Sequence, residues 1–235
     1  MDKADYSINA LWRLSLAGFR TIFIPGVVLW VVGLGIVLTY YFIDSSRPFF
    51  DWVIETKKTH GYLYSFLATG FFGGLIPFLF LWASRKIKKG MVSSSGLFFV
   101  FYWAARGTEV DAFYRLQGFL FGNEPDLATI AIKVFIDQFV YCVFWAAPVT
   151  AVFYGWKDYG FSWYLFIQRT TKRSFLFEVA RLLLSTWLVW IPATAIIYSL
   201  PSALQVPLFS LTLCFFVLLV SVFSKDEVPG SAKQQ

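Results

Sequence analysis

Charge is scarce in this sequence. Asp, Glu, Lys and Arg make up only 14% of the 235 residues, against about a quarter in ordinary soluble domains. So few charges cannot clothe a water-facing surface, and with 58% of the chain hydrophobic the excess apolar area must face lipid. Histidine is scarcer still. His60 is the only one, in a segment read as a loop, which leaves a histidine-based zinc site without ligands and a Ser-His triad without a buried base. Cys142 and Cys214 both fall in apolar stretches, where a thiol behaves as a small hydrophobe, and they match no metal or redox spacing. No Gly-rich nucleotide loop is present, which argues against an on-chain ATP-driven pump. The run Ser93-Ser94-Ser95-Gly96 has the look of an intramembrane serine-protease motif, but Ser93 stands where that motif needs glycine and no histidine follows. The chain therefore reads as non-enzymatic, with no cofactor or metal implied.

What the sequence has in abundance is long uncharged runs. Residues 21–43 exceed the short apolar core of a removable signal peptide and read as a retained helix. Crossing about 30 Å of hydrocarbon takes roughly 20 helical residues, and further runs of that order cover residues 61–84, 91 to about 116, 128–155, 174–200 and 202–224. The expectation is an all-α polytopic transmembrane bundle of about six spans. It forms one membrane domain, 21–224, preceded by an interfacial segment, 1–20, and followed by a polar tail, 225–235. Pro25, Pro77, Pro148 and Pro192 fall within apolar runs and mark kinks. Gly70, Gly73 and Gly74 read chiefly as a small-residue face for close helix packing.

The net charge of +6 does not point to nucleic acid, because the basic residues flank apolar runs and set orientation instead. They alternate as six spans require. One side collects Lys3, Arg13 and Arg20, then Arg85, Lys86, Lys88 and Lys89, then Lys157, Arg169, Lys172 and Arg173. The other side balances Arg47, Lys57 and Lys58 against Asp44, Asp51 and Glu55, and has no charge around Pro201. Both termini are thus expected on the cytoplasm-like side. Trp12, Trp30, Trp52, Trp156 and Trp163 lie near span ends or connections, where indole rings either anchor at the interface or pack as ordinary aromatics. Part of the connection between Trp156 and Arg173 is expected along the inner surface.

The chemistry-bearing residues are the intramembrane charges, which are costly in lipid and face a bundle interior or a water-filled cavity. Arg106 falls about 22 Å along the third span from its inner end, with Glu109 and Asp111 at or beyond the outer boundary. Entering from outside, Lys133 lies about 8 Å and Asp137 about 14 Å deep in the fourth span, on one helical face as i and i+4, with Gln138 beside them. Two readings stand open. Arg106, Glu109, Lys133, Asp137 and Gln138 either line a polar vestibule or form an ion-pair network that only holds helices together. Glu178 and Arg181 read as an interfacial pair.

Lys133-x-x-x-Asp137-Gln138 resembles the K-x-x-x-D-Q element of the Mpv-seventeen and twenty-two-kilodalton peroxisomal membrane protein family. Phe113-Tyr114-x-Leu116 is similar to that family's Trp-Tyr pair, and Trp187-x-x-Trp190 with Pro192, Tyr198 and Pro201 resembles its W-x-x-W-P element and later aromatic and proline. The resemblance covers about residues 61–224. Pro192 comes one residue late, and the early Gly-Asp and Gln of the second span are missing. The resemblance implies a small protein of an inner or organelle membrane, with membrane lipids as its partners and a small solute as permeant, and it is compatible with a homo-oligomer. The alternative from another class is a non-conducting scaffold or partner-binding subunit.

Overall fold

The computed structural model describes residues 6–87 and 89–223, so Lys3, Lys88 and the tail from Lys225 lie outside the described residues. Among those described there is no strand. Helix α1 spans Ile8–Phe42, starting well before residue 21, and Ser7 caps it by accepting from the Ala10 amide at 3.1 Å. A 3-10 turn, Asp44–Ser46, leads into α2, Arg47–Thr69. The segment 44–60, read as a loop, is thus mostly helical. Pro48 near its start needs no N–H partner there, and Phe50 and Lys57 turn inward. The helix breaks at Gly61, whose φ of 52° belongs to the region glycine enters without steric cost.

A π-helical stretch, Gly70–Leu75, connects α2 to α3, Ile76–Ala83. A second, Ile136–Ala146, connects α5, Leu127–Phe135, to α6, Ala147–Asp158. Each is followed at once by a proline, Pro77 or Pro148. The missing proline N–H breaks the ordinary i to i−4 ladder, and the wider π winding is one way a helix absorbs that defect. Between the two composite rods runs α4, Val92–Phe121. The chain continues through a short helix α7, Trp163–Arg169, then α8, Lys172–Tyr198, and α9, Ser202–Phe223. Thr171 and Ser174 close a reciprocal cap at the start of α8. Asp126 caps α5. Hydrogen bonding by the Thr129 side chain, together with the backbone amides of Thr129 and Ala128, holds its carboxyl below the ordinary carboxylate value.

Five segments are long and apolar enough to cross a membrane among the described residues: Ile8–Phe42, Asp44–Ala83, Leu127–Asp158, Lys172–Tyr198 and Ser202–Val222. The protein is an integral membrane protein of the all-α bundle class. The sixth expected span is α4, which has the length but not the hydropathy. It sits against α2, α3, α5, α9 and the first π stretch, so Arg106, Asp111 and Gln117 are covered by protein rather than by lipid. That is the condition under which a spanning helix tolerates them.

Close approach of the first π stretch to α4 requires glycine. A Cβ on Gly74 would lie 2.6 Å from the Phe99 carbonyl oxygen and 2.8 Å from Val100 Cα, both backbone atoms that cannot move aside. Gly74→Leu is expected to cost about 1–3 kcal/mol or more by overpacking. The measurement is the temperature at which half the protein is lost from a monodisperse peak in detergent; an unchanged value would contradict the contact.

Lys86 Nζ donates to the Ser221 carbonyl at 2.5 Å, and Arg173 lies over the Tyr6 ring. Near this end Ile22 of α1 packs with Val189 of α8 and with Phe216 and Leu219 of α9. The start of α1, the end of α9 and the basic residues Lys86 and Arg173 thus share one end of the bundle. The basic-loop pattern predicts that this end is the cytoplasm-like one. Single cysteines placed at Glu124 and at Arg85, with Cys142 and Cys214 replaced, are expected to react with an impermeant thiol reagent from opposite sides of sealed vesicles. Labelling from the same side would reject the topology.

Candidate functional site

The five residues singled out from sequence fall into two groups. The first is centred on Asp137, the second residue of the π stretch 136–146. Tyr198 of α8 donates its hydroxyl to Asp137 Oδ2 at 2.8 Å, and Gln138 Nε2 donates to Oδ1 at 2.7 Å. The Cys142 thiol approaches Oδ1 at 3.6 Å. Gln138 Nε2 also reaches Thr194 Oγ1 at 3.1 Å, and the Trp187 indole donates to the Gln138 carbonyl at 3.2 Å. From the other side Gln117 of α4 donates to the Tyr198 oxygen at 2.5 Å. The result is a buried hydrogen-bonded chain, Gln117 to Tyr198 to Asp137 to Gln138 to Thr194, that joins α4, α8 and the π stretch.

Lys133 lies one turn before Asp137 and is buried, yet the two form no ion pair. Tyr198 holds the carboxylate, and the Lys133 ammonium stands 5.7 Å from the centroid of the same Tyr198 ring, a cation–π placement of modest strength. Tyr114 packs on Tyr198 at 5.0 Å between centroids. Tyr114, Lys133, Asp137, Gln138, Trp187 and Tyr198, all part of the family resemblance, thus converge on one cluster.

The second group is Arg106 with Glu109. Arg106 Nη1 donates to both Glu109 oxygens at 2.5 and 2.6 Å. Tyr141 also donates to Glu109, and the Trp145 indole does so at 2.8 Å. Neither residue forms a hydrogen bond or ion pair with Asp137 or Lys133. A single ion-pair network of all four charges is therefore not what forms, because Glu109 is taken up by Arg106 and, further along the π stretch than Asp137, by Tyr141 and Trp145.

A third cluster was not visible in the sequence. Lys57, assigned to an outer loop, and Asp111, assigned to the outer boundary, are both buried and paired at 2.6 Å. Lys57 also donates to the Gly61 carbonyl at 3.0 Å, and Asp111 receives the Ser65 hydroxyl at 2.7 Å and Arg115 Nε at 3.0 Å. The kink at Gly61 turns its carbonyl toward Lys57, and that glycine is the one local signal that the preceding segment folds back on the bundle. Gln117 carried no signal at all. Among the described residues no group of three or more His, Cys, Asp or Glu side chains is placed to hold a metal ion.

Comparisons with protein-family models, with curated proteins and with solved structures find no match to this chain.

Proposed function

We propose that the protein is a channel or pore-like facilitator for small solutes, that it belongs with the Mpv-seventeen and twenty-two-kilodalton peroxisomal membrane proteins, and that the Asp137 cluster lies on its polar path. The family carries with it an inner or organelle membrane and a non-enzymatic role. One observation supports the reading above the rest. Asp137 and Lys133 are buried within one span, one turn apart, and neither has an ion-pair partner among the described residues. Charges kept only as glue are expected to be paired, as Lys57 is with Asp111. Charges kept for a permeant are expected to be held by neutral groups that can exchange for it. The cluster as described is closed, so conduction requires the Tyr198 or Gln138 contacts to open. The π winding around Asp137 is the kind of helix irregularity that recurs at functional sites.

The test is flux. Purified protein in liposomes is expected to accelerate the passage of small charged or neutral solutes over protein-free vesicles. Verified incorporation with no acceleration for any of them would reject the reading.

A non-conducting scaffold is the second reading, and the Lys57–Asp111–Arg115 cluster favours it. There the buried charges Lys57 and Asp111 are engaged with each other, and they bind α2 to α4.

A further inference from the structure

A groove of about 750 Å³ runs between α4 and α6, within the roughly 300–1,000 Å³ of small-molecule sites. The two helices meet here through aromatic side chains: Tyr102 bonds Thr150 at 2.9 Å, and Phe98 packs on Tyr154. The remaining space is walled by Leu97, Phe101 and Ala105 on one side and by Val149 and Phe153 on the other. Leu97 and Phe101 are 62% and 60% exposed, so the groove opens sideways to the bilayer. From Glu109 to Ser94, both in its lining, it follows α4 for roughly 22 Å.

Its polar end is lopsided. Glu109 is well satisfied by Arg106, Tyr141 and Trp145. Arg106, only 7% exposed, donates through Nη1 alone, and its Nε and Nη2 groups donate to nothing among the described residues. The guanidinium also lies 5.9 Å from the Tyr141 ring centroid, and its remaining N–H groups, neither bonded nor enclosed by protein, lie at the head of an apolar groove, where they can take an acceptor oxygen from a ligand. The charge of that ligand follows from the pair. Arg106 and Glu109 already cancel, so an anionic head would leave an uncompensated charge in a low-dielectric site. A cationic or donor-only head would find Glu109 already taken. What remains is a neutral carbonyl attached to a long hydrocarbon chain.

We propose that this groove binds one fatty acyl chain of a neutral ester lipid, with the ester carbonyl on Arg106 and the chain running toward Ser94. The site stands apart from the Asp137 cluster and does not depend on the solute path.

The test uses delipidated protein in detergent, titrated with monooleoylglycerol and with the matching oleyl ether of glycerol, and read by native mass spectrometry. The ester is expected to bind one to one. The ether, which lacks only the carbonyl, is expected to bind about tenfold or more weakly, the discrimination one charge-assisted hydrogen bond supplies. Oleate is expected to bind less well than the ester. Val149→Trp, which fills the groove, is expected to abolish both adducts. Arg106→Lys, which keeps the charge but not the forked donors, is expected to bring ester and ether within about threefold of each other. Equal binding of ester and ether by the unaltered protein overturns the proposal without any variant having to fold. Tighter binding of oleate, or Val149→Trp binding like the unaltered protein, overturns it as well. A dimer that takes up neither lipid would assign the groove to a second copy of the chain instead.

Discussion

Asp111→Leu is expected to remove most of the monodisperse protein from detergent extracts. The substitution leaves Lys57 with a side chain only 4% exposed and no anion within reach. Breaking a buried ion pair by removing one partner costs about 3–5 kcal/mol, most of it the stranded charge. Arg115 does not rescue it: its side chain is 51% exposed, and it carries the same sign as Lys57. The double variant Lys57→Met with Asp111→Leu removes both charges together and is expected to recover much of the loss, since a buried pair replaced by apolar groups of similar volume is often near neutral. Recovery is read as the monodisperse fraction at equal expression. A single variant as well behaved as the parent would show that the pair does not hold α2 to α4.

Asp137→Asn is expected to behave in the opposite way, folding well and conducting differently. The Asn side chain keeps one oxygen for the Gln138 amide. The amide that replaces the other oxygen can donate to the Tyr198 hydroxyl once that hydroxyl turns, so the net loss is about one hydrogen bond, or about 1 kcal/mol. Removing the carboxylate also removes its desolvation cost. The change to a permeating ion is larger. One unit charge at about 8 Å, with an effective dielectric constant of about 20, is worth about 2 kcal/mol, or about tenfold or more in a permeability ratio. With Asp137 neutral, Lys133 is the charge that remains near the cluster, and selectivity is expected to move toward anions.

The all-helical bundle and most of its long helices were legible because uncharged runs and flanking basic residues report lipid directly. Asp137, Gln138 and Lys133 were legible as a group for the same reason: an ionisable residue in an apolar run stands out. Of their partners, Tyr198 was marked only by the family resemblance and Gln117 not at all. Gln117 and Tyr198 come from helices far apart in sequence, and an uncharged polar residue in a mixed helix gives no hydropathy signal. Lys57 and Asp111 were misassigned because a charged segment such as 44–60 reads as solvent-exposed unless the other helix that buries it is known. The hydropathy of α4 was read through charges that other helices cover, so its burial, like the winding of the π stretches, depended on packing partners. The groove beside α4 was invisible for a related reason. It exists because aromatic side chains of α4 and α6 hold the two helices apart, which is a property of the pair.

The most direct test of the solute path measures folding and flux on the same reconstituted preparation of the parent protein and Asp137→Asn. The account predicts matched helicity, incorporation and monodispersity, with a cation-to-anion permeability ratio lowered by about tenfold in the variant. A well-folded Asp137→Asn protein with the parent's flux and selectivity would contradict it, and would leave Asp137 as a residue that joins α8 to the π stretch and nothing more.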